Sequence, residues 1–327
     1  MGTSVADASR DQLTLPDVAA IRAAHGRIAP YVRRTPVLTC ASLDAAVDAQ
    51  LFFKCENFQK VGAFKARGAC NAVFSLTDAA AARGVVTHSS GNHGAALAYA
   101  AQCRGIPAFV VMPENAAKVK QANVARFGAT IRFCAPTQAA REEACAVVGR
   151  ETGATLIHPY DDERVIAGQG TAALELLAVV PDLDVVIAPV GGGGLLSGTA
   201  IAATACKPDI TIYGAEPAGA DDAARGFASG KVEALLHPAT MADGLRATLS
   251  ERTLHAIRLH VAAIGTASEA GIAGAMRMTW ERMKIIIEPS SAVPLACLLE
   301  DALHCKGRRV GIIVSGGNVD LDRLPWQ

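Results

Sequence analysis

Nowhere in the 327 residues does an apolar run approach the roughly 18–20 residues that cross a bilayer, so no membrane-spanning helix is expected. Charge of one sign is missing too. The 31 Lys and Arg are balanced by 31 Asp and Glu, which leaves no basic excess to neutralise phosphates, and nucleic acid is not an expected partner. The first residues, MGTSVADASRDQL, lack a basic stretch followed by an apolar one, so no secretory signal is read there. Nine cysteines are scattered singly, with no Cys-x-x-Cys pair and no His-rich knuckle. An odd, unpaired set argues against a disulfide framework and against a zinc site. Reduced thiols in a cytoplasmic protein are the expectation. No Pro/Gly/Ser-rich linker, internal repeat or low-complexity segment interrupts the chain. What remains is a composition with 51% hydrophobic residues and a mean hydropathy of +0.26, enough for a sizeable core in one large or two ordinary domains.

Short β-rich runs alternate with Ala-rich amphipathic ones. The segments 51–57, 84–90, 107–113, 130–135, 155–159, 184–190, 211–217, 285–289 and 309–315 read as strands, and 94–105, 117–128 and 137–153 among others as helices. Apolar strands separated by helices imply parallel sheets covered on both faces, with ligands beyond the carboxyl ends of the strands. The compact set between about 84 and 159 suggests an inserted α/β unit. The expected division is residues 1–78 with 158–327 as a large domain and 79–157 as a small inserted one.

Three glycine-containing loops follow expected strands. Ser89-Ser90-Gly91-Asn92-His93-Gly94 opens a helix, and its amides and hydroxyls suit a small anion such as a carboxylate; a plain polar N-cap is the competing explanation. Gly191-Gly192-Gly193-Gly194 stands between a strand and the helical run 195–205. Four bare residues cost conformational entropy unless the backbone must approach something closely, and successive amides at a helix start make a nest for a phosphate. The loop lacks the Lys-Ser/Thr of a P-loop, so a terminal phosphomonoester fits better than a nucleotide. Ser315-Gly316-Gly317-Asn318 closes the last strand, where a polar side chain can touch a ligand. In Gly62-Ala63-Phe64-Lys65-Ala66-Arg67-Gly68, small neighbours leave room for a flat ring against Lys65, the setting a Schiff-base lysine requires; a solvated surface charge is the alternative.

Together these motifs resemble the pyridoxal-phosphate enzymes of fold type II, the tryptophan-synthase β-like fold. Within it they are most similar to the branch of threonine/serine dehydratases, serine racemases and 3-hydroxyaspartate dehydratases. The segments KCENFQKVGAFKARGA, HSSGNHG, HPYDDERVIAGQGT, APVGGGGLLSG, AEPAGADDA, MADGL, IEPSSAVPLA and IVSGGNVDLDRLPW carry the likeness in the family's order from 54 to 326. The resemblance implies two domains, each a mostly parallel twisted sheet flanked by helices, and a homodimer. It implies that Lys65 forms the internal aldimine and takes the Cα proton as general base, with Phe64 and Gly244 against the two ring faces. Asn92 is implied at the phenolic oxygen, Gly191, Gly192, Gly193 and Gly194 at the phosphate, and Ser315 at the pyridine nitrogen. Ser89, Ser90, Asn92 and His93 are implied around the substrate carboxylate.

The implied reaction is loss of water from a β-hydroxy amino acid, giving ammonia and a keto acid or imine, which makes the protein a carbon–oxygen/ammonia lyase. A neutral Ser315 makes the ring a modest electron sink, which favours prompt loss of a β-substituent. Ser90 stands where serine racemases carry a second acid/base, so racemisation of serine is the alternative reaction, against a helix-cap serine. Tyr160 and Ala247 depart from the mammalian-type racemase pattern. Glu216, the Ala220 carbonyl and Asp222 match the branch's divalent-cation site, with oxygen ligands suited to Mg²⁺, Mn²⁺ or Ca²⁺. Arg141 matches an arginine near the active site, and a guanidinium there suits a second carboxylate, which points to 3-hydroxyaspartate ahead of L-serine and L-threonine; its competing role is a helix-surface ion pair. No C-terminal regulatory domain is expected, because the chain stops shortly after the SGGN loop. Two other classes stay open on the residues alone: an NAD(P)-linked oxidoreductase and a non-catalytic pyridoxal-phosphate carrier.

Overall fold

A computed structural model describes residues 13–89 and 91–326. Among the described residues, ten strands form two sheets. In chain order the strands are β1 (Val37–Leu38), β2 (Gln50–Cys55), β3 (Val85–His88), β4 (Ala108–Pro113), β5 (Thr130–Cys134), β6 (Thr155–Leu156), β7 (Val185–Pro189), β8 (Thr211–Pro217), β9 (Ala263–Ala267) and β10 (Arg309–Val314). The larger sheet runs β1-β2-β10-β7-β8-β9 and the smaller β5-β4-β3-β6. Every pairing is parallel except the short β1–β2 contact. Eight of the nine expected strands are present.

The ninth is a correction. Residues 285–289 form no strand: the edge beside β8 is taken by β9, and the segment runs extended into the helix Pro289–Leu299. Its apolar pattern is nevertheless satisfied, because Ile285 and Ile287 are buried and the Ile287 carbonyl accepts the Trp280 indole N–H at 3.1 Å. Two strands escaped the sequence reading: β1, only two residues long, and β9, whose Ala-Ile-Gly-Thr-Ala carries little β-branched signal.

Three helices reach the site and pack unusually closely through glycine. A Cβ on Gly168 would lie 2.6 Å from the Gly68 Cα, and one on Gly198 would lie 2.6 Å from the Gly170 amide nitrogen. The helices Lys65–Phe74, Glu163–Val179 and Gly194–Cys206 therefore meet backbone to backbone. Beneath the first of them lies a buried ionic cluster. The Arg67 guanidinium binds Glu56 at 2.7 and 2.8 Å and Glu175 at 2.8 Å, and Lys54 Nζ donates to Glu175 at 2.6 Å and to the Thr35 carbonyl at 2.7 Å. Two cations and two anions compensate one another, and their hydrogen bonds offset the cost of burying them. No helix among the described residues is long and apolar enough to cross a membrane.

Candidate active site

Lys65 opens its helix because Phe64 is anchored from the other side: the Phe64 amide donates to the Ser315 carbonyl at 2.9 Å, and Ala63 bridges to Gly316. The residue is half-buried, but its amine is enclosed, with Nζ donating to the Pro159 carbonyl at 2.7 Å. Burial pushes the amine down to about 8, against an opposing pull from Glu288. A large fraction is therefore neutral near pH 8, as a nucleophile or base must be. Phe64 lies beside it, with its ring centroid 5.1 Å from Nζ.

The tetraglycine run leaves β7 and enters the helix Gly194–Cys206, with Gly193 at φ +84°. All four glycines are buried, and among the described residues their amides meet no acceptor. Unpaired amides at a helix N-terminus are an anion cradle. There is no room for side chains in it: a Cβ on Gly192 would sit 2.3 Å from the Tyr160 ring, and one on Gly191 would sit 2.9 Å from the Leu245 Cα. Tyr160 follows Pro159, so a single turn of chain covers the cradle and receives the Lys65 amine. Gly244 lies across the cradle, its carbonyl 3.3 Å from the Gly191 Cβ position, and its amide donates to Ser290 Oγ at 3.2 Å.

Asn92 begins the helix Asn92–Arg104, slightly ahead of the expected start. Its Nδ2 donates to both oxygens of Glu288 at 3.1 Å, and its Oδ1 accepts from Asn318 Nδ2 at 2.9 Å. Glu288 is buried, also accepts the Asn318 amide at 3.2 Å, and is pushed by burial up to about 7. His93 Nε2 lies 3.2 Å from the Ile157 carbonyl, so it carries the ring proton and leaves Nδ1 buried with no partner among the described residues. Burial, then the nearby Lys65, holds His93 well below the usual histidine range. Ser89 sits at the end of β3, its Oγ accepting the Gly91 amide at 3.3 Å. Ser90 lies outside the described residues. Ser315 is buried, with its Oγ 3.0 Å from Ser291 Oγ.

Arg141 lies in the first turn of the helix Gln138–Thr152 and its Nε reaches its own Thr137 carbonyl at 3.4 Å. No hydrogen bond joins it to the lysine or to the glycine cradle. Its charge still reaches His88, adding to the burial that lowers that ring, and it is felt at the Tyr160 phenol.

Glu216 and Asp222 lie together at the end of β8. The Glu216 oxygens accept the Ala223 and Ala224 amides at 3.0 and 2.9 Å. Burial, reinforced by Asp222 and Asp221, pushes Glu216 up to about 8, and burial pushes Asp222 up to about 6. Both Asp222 oxygens are buried and have no hydrogen-bond partner among the described residues. An orphaned carboxylate beside another carboxylate fits a hard cation. Among the described residues no cluster of three or more His, Cys, Asp or Glu forms a metal site, so a cation held here would need main-chain or water oxygen beside the two carboxylates.

Sequence reasoning did not single out Glu288, His158 or Ser291. Glu288 was hidden because the apolar residues before it read as a strand. An acid directly before Pro at the first position of a helix was the available signal. His158 accepts the Asp161 amide on Nδ1 at 2.8 Å, packs edge-on to His88 and Tyr160, and is held by burial down to about 4.

A glycine cradle of unpaired amides, an enclosed amine and the Asn92–Glu288 pair, set between two mostly parallel sheets, are the parts of a fold type II cofactor enzyme. The chain belongs to the pyridoxal-phosphate dependent enzyme family, whose model matches residues 28–316. It is 53% identical over 312 residues to the beta-hydroxyaspartate dehydratase of Paracoccus denitrificans, covering 95% of this chain and 99% of that one. Its structure matches the serine racemase of Dictyostelium discoideum with TM-score 0.90 and 48% identity, over 93% of this chain and 99% of that one. It matches the maize serine racemase with TM-score 0.92 and 48% identity, over 94% of this chain and 95% of that one. A threonine deaminase structure also matches, with TM-score 0.88 and 43% identity, over 94% and 99%. The protein is a pyridoxal-phosphate-dependent enzyme, and the nicotinamide alternative gives way.

Proposed function

We propose that the protein is a dehydratase of β-hydroxy amino acids acting first on 3-hydroxyaspartate, and on L-serine and L-threonine less well. The observation that carries the chemistry is the enclosed, easily deprotonated Lys65 amine, held by the Pro159 carbonyl one residue before the Tyr160 ring that packs on the glycine cradle. The beta-hydroxyaspartate dehydratase relative favours the substrate. Pyridoxal phosphate, when bound, supplies an aldehyde for the substrate's amino group and a ring that accepts the electrons of the broken Cα–H bond.

The chain's own residues supply the rest. Gly191 to Gly194 hold the phosphate, Phe64 and Gly244 flank the ring, Asn92 holds the phenolic oxygen and Ser315 faces the ring nitrogen. Lys65 Nζ, oriented by the Pro159 carbonyl, takes up the Cα proton. The 89–93 loop at the helix N-terminus holds the substrate carboxylate through its amides and hydroxyls. Arg141 pairs with the second carboxylate of 3-hydroxyaspartate. Residues 1–78 and 158–327 form the cofactor-bearing part, 79–157 the substrate-side insert, and the enzyme works as a homodimer in the cytoplasm.

Glu216, the Ala220 carbonyl and Asp222 hold Mg²⁺, or Mn²⁺ or Ca²⁺, which supplies positive charge that lets both buried acids ionise. Chelation by EDTA lowers activity and thermal midpoint, and Mg²⁺ restores both; indifference to EDTA removes the cation from the scheme. Serine racemisation is the second reading, favoured by the likeness to a serine racemase. One experiment separates the two: purified enzyme with each 3-hydroxyaspartate isomer, L- and D-serine and L-threonine, with ammonia, keto acid and enantiomers followed together. Ammonia release fastest from a hydroxyaspartate supports the proposal. Interconversion of serine enantiomers without ammonia overturns it.

A further inference from the structure

Two serine hydroxyls meet behind the carboxyl end of β10. Ser315 follows the strand, Ser291 lies in the first turn of the helix Pro289–Leu299, and both are 2% exposed. Their Oγ atoms are 3.0 Å apart. Ser291 Oγ accepts the Gly316 amide at 2.7 Å and is also within 2.7 Å of the Gly316 carbonyl. A hydroxyl has one proton and two lone pairs. With the amide on one lone pair, the Ser291 proton can go to the carbonyl or to Ser315. That carbonyl already accepts the Glu288 amide at 3.0 Å, so it is not orphaned when the proton turns to Ser315. Ser315 then has its own proton free for whatever lies in the pocket. The neighbouring Ser290 is committed elsewhere, to the Gly244 amide.

We propose that Ser291 is a positioning residue that sets the polarity of Ser315, through a relay in which the Gly316 amide donates to Ser291, Ser291 to Ser315, and Ser315 to the ring nitrogen of the bound cofactor. The inference rests on the reading that Ser315 faces that nitrogen. Each hydrogen bond in such a chain polarises the next, so Ser315 becomes a stronger donor than an isolated serine. The ring would gain electron demand through this hydrogen bond, and a hydroxyl, unlike a carboxylate, carries no charge to stabilise a protonated ring nitrogen.

The test uses holoenzyme carrying cofactor ¹⁵N-labelled at the ring nitrogen, in wild type, Ser291→Ala, Ser291→Thr and Ser315→Ala. The nitrogen resonance and the cofactor dissociation constant are both read. Ser291→Ala is expected to move the resonance toward that of an unbonded pyridine and to weaken cofactor retention several-fold, Ser291→Thr to restore both, and Ser315→Ala to move the resonance further in the same direction. A resonance that shifts in Ser315→Ala but not in Ser291→Ala overturns the relay and leaves the placement of Ser315 standing. A resonance that shifts in neither variant overturns that placement and the relay with it. If Ser291→Ala does not retain cofactor, Ser291→Cys, a weak donor of similar shape, carries the same comparison: a wild-type resonance there overturns the relay and an intermediate one supports it.

Discussion

The two sheets are built to different depths. In the six-stranded sheet every residue of β7 is buried, all but the first of β10 are, and ten residues of the helix Gly194–Cys206 are buried. In the four-stranded sheet β5 has no buried residue, Cys145 and Val148 alone anchor the helix Gln138–Thr152 among its described side chains, and Val124 anchors the helix Lys118–Ala125. The enclosed Lys65 amine and the tetraglycine run, which the proposed function needs placed before any substrate arrives, belong to the deep layer. Arg141, assigned to the substrate, belongs to the shallow edge of the smaller sheet, whereas Asn92 and His93 open a helix well buried against the wholly buried β3. Local opening is easier where fewer apolar contacts must break, so the shallow sheet is the part free to adjust to a ligand.

That contrast can be broken at several points. Lys65→Ala, in the deep layer, is expected to lower turnover by about 10³-fold or more and to remove the bound-cofactor absorbance; turnover that survives places the chemistry elsewhere. Arg67→Met leaves Glu56 and Glu175 buried without their main partner and should cost about 3–5 kcal/mol in denaturant melts. Arg150→Ala, which removes the exposed pair with Glu143 in the shallow layer, should cost no more than about 1 kcal/mol. Equal losses would erase the distinction between layers. Gly192→Ala drives a methyl into the Tyr160 ring and should weaken cofactor binding by about 1–3 kcal/mol in a titration, whereas a Cβ on Gly91 meets nothing within 4 Å and Gly91→Ala should leave cofactor affinity unchanged.

A subtler pair of effects lies in pH. Glu288 is raised to about 7, so the folded chain favours its protonated form; its contribution is complete below the unfolded value of about 4.3 and is lost as pH rises through 7. His158 is lowered to about 4, so its contribution is complete above about 6.5 and is lost as pH falls toward 4. Thermal midpoints of the cofactor-free protein should show the high-pH decline flattened in Glu288→Gln and the low-pH decline flattened in His158→Gln. The smallest effect is at the rim: Arg141→Ala should lower kcat/KM about tenfold for 3-hydroxyaspartate and hardly at all for serine. An equal loss for both would show that Arg141 makes no pair with a second carboxylate.

Most of the architecture was legible because parallel strands buried on both faces write themselves as apolar runs, and the glycine cradle because four bare residues have few other uses. The segment 285–289 was misread for the same reason: Ile285 and Ile287 are buried like strand residues, yet hydrogen bonding with a neighbouring strand is not encoded in hydrophobicity. Lys65 could be singled out by its small neighbours. Glu288 and His158 could not, because their importance comes from what they face across the cleft, 196 residues away in the case of Glu288 and Asn92. The pairing of Ser291 with Ser315 depends on a register between a helix start and a strand end, which no local pattern carries.

The cluster around Arg67 also bears on how such a scaffold can diversify. Because two cations and two anions lock the helix that begins at Lys65, the reach of that amine is settled when the chain folds, and shifting it by even a turn would strand all four charges in a dry interior. New substrates are therefore more readily accommodated by exchanging residues away from that cluster, at the 89–94 loop and around Arg141, than by moving the amine itself.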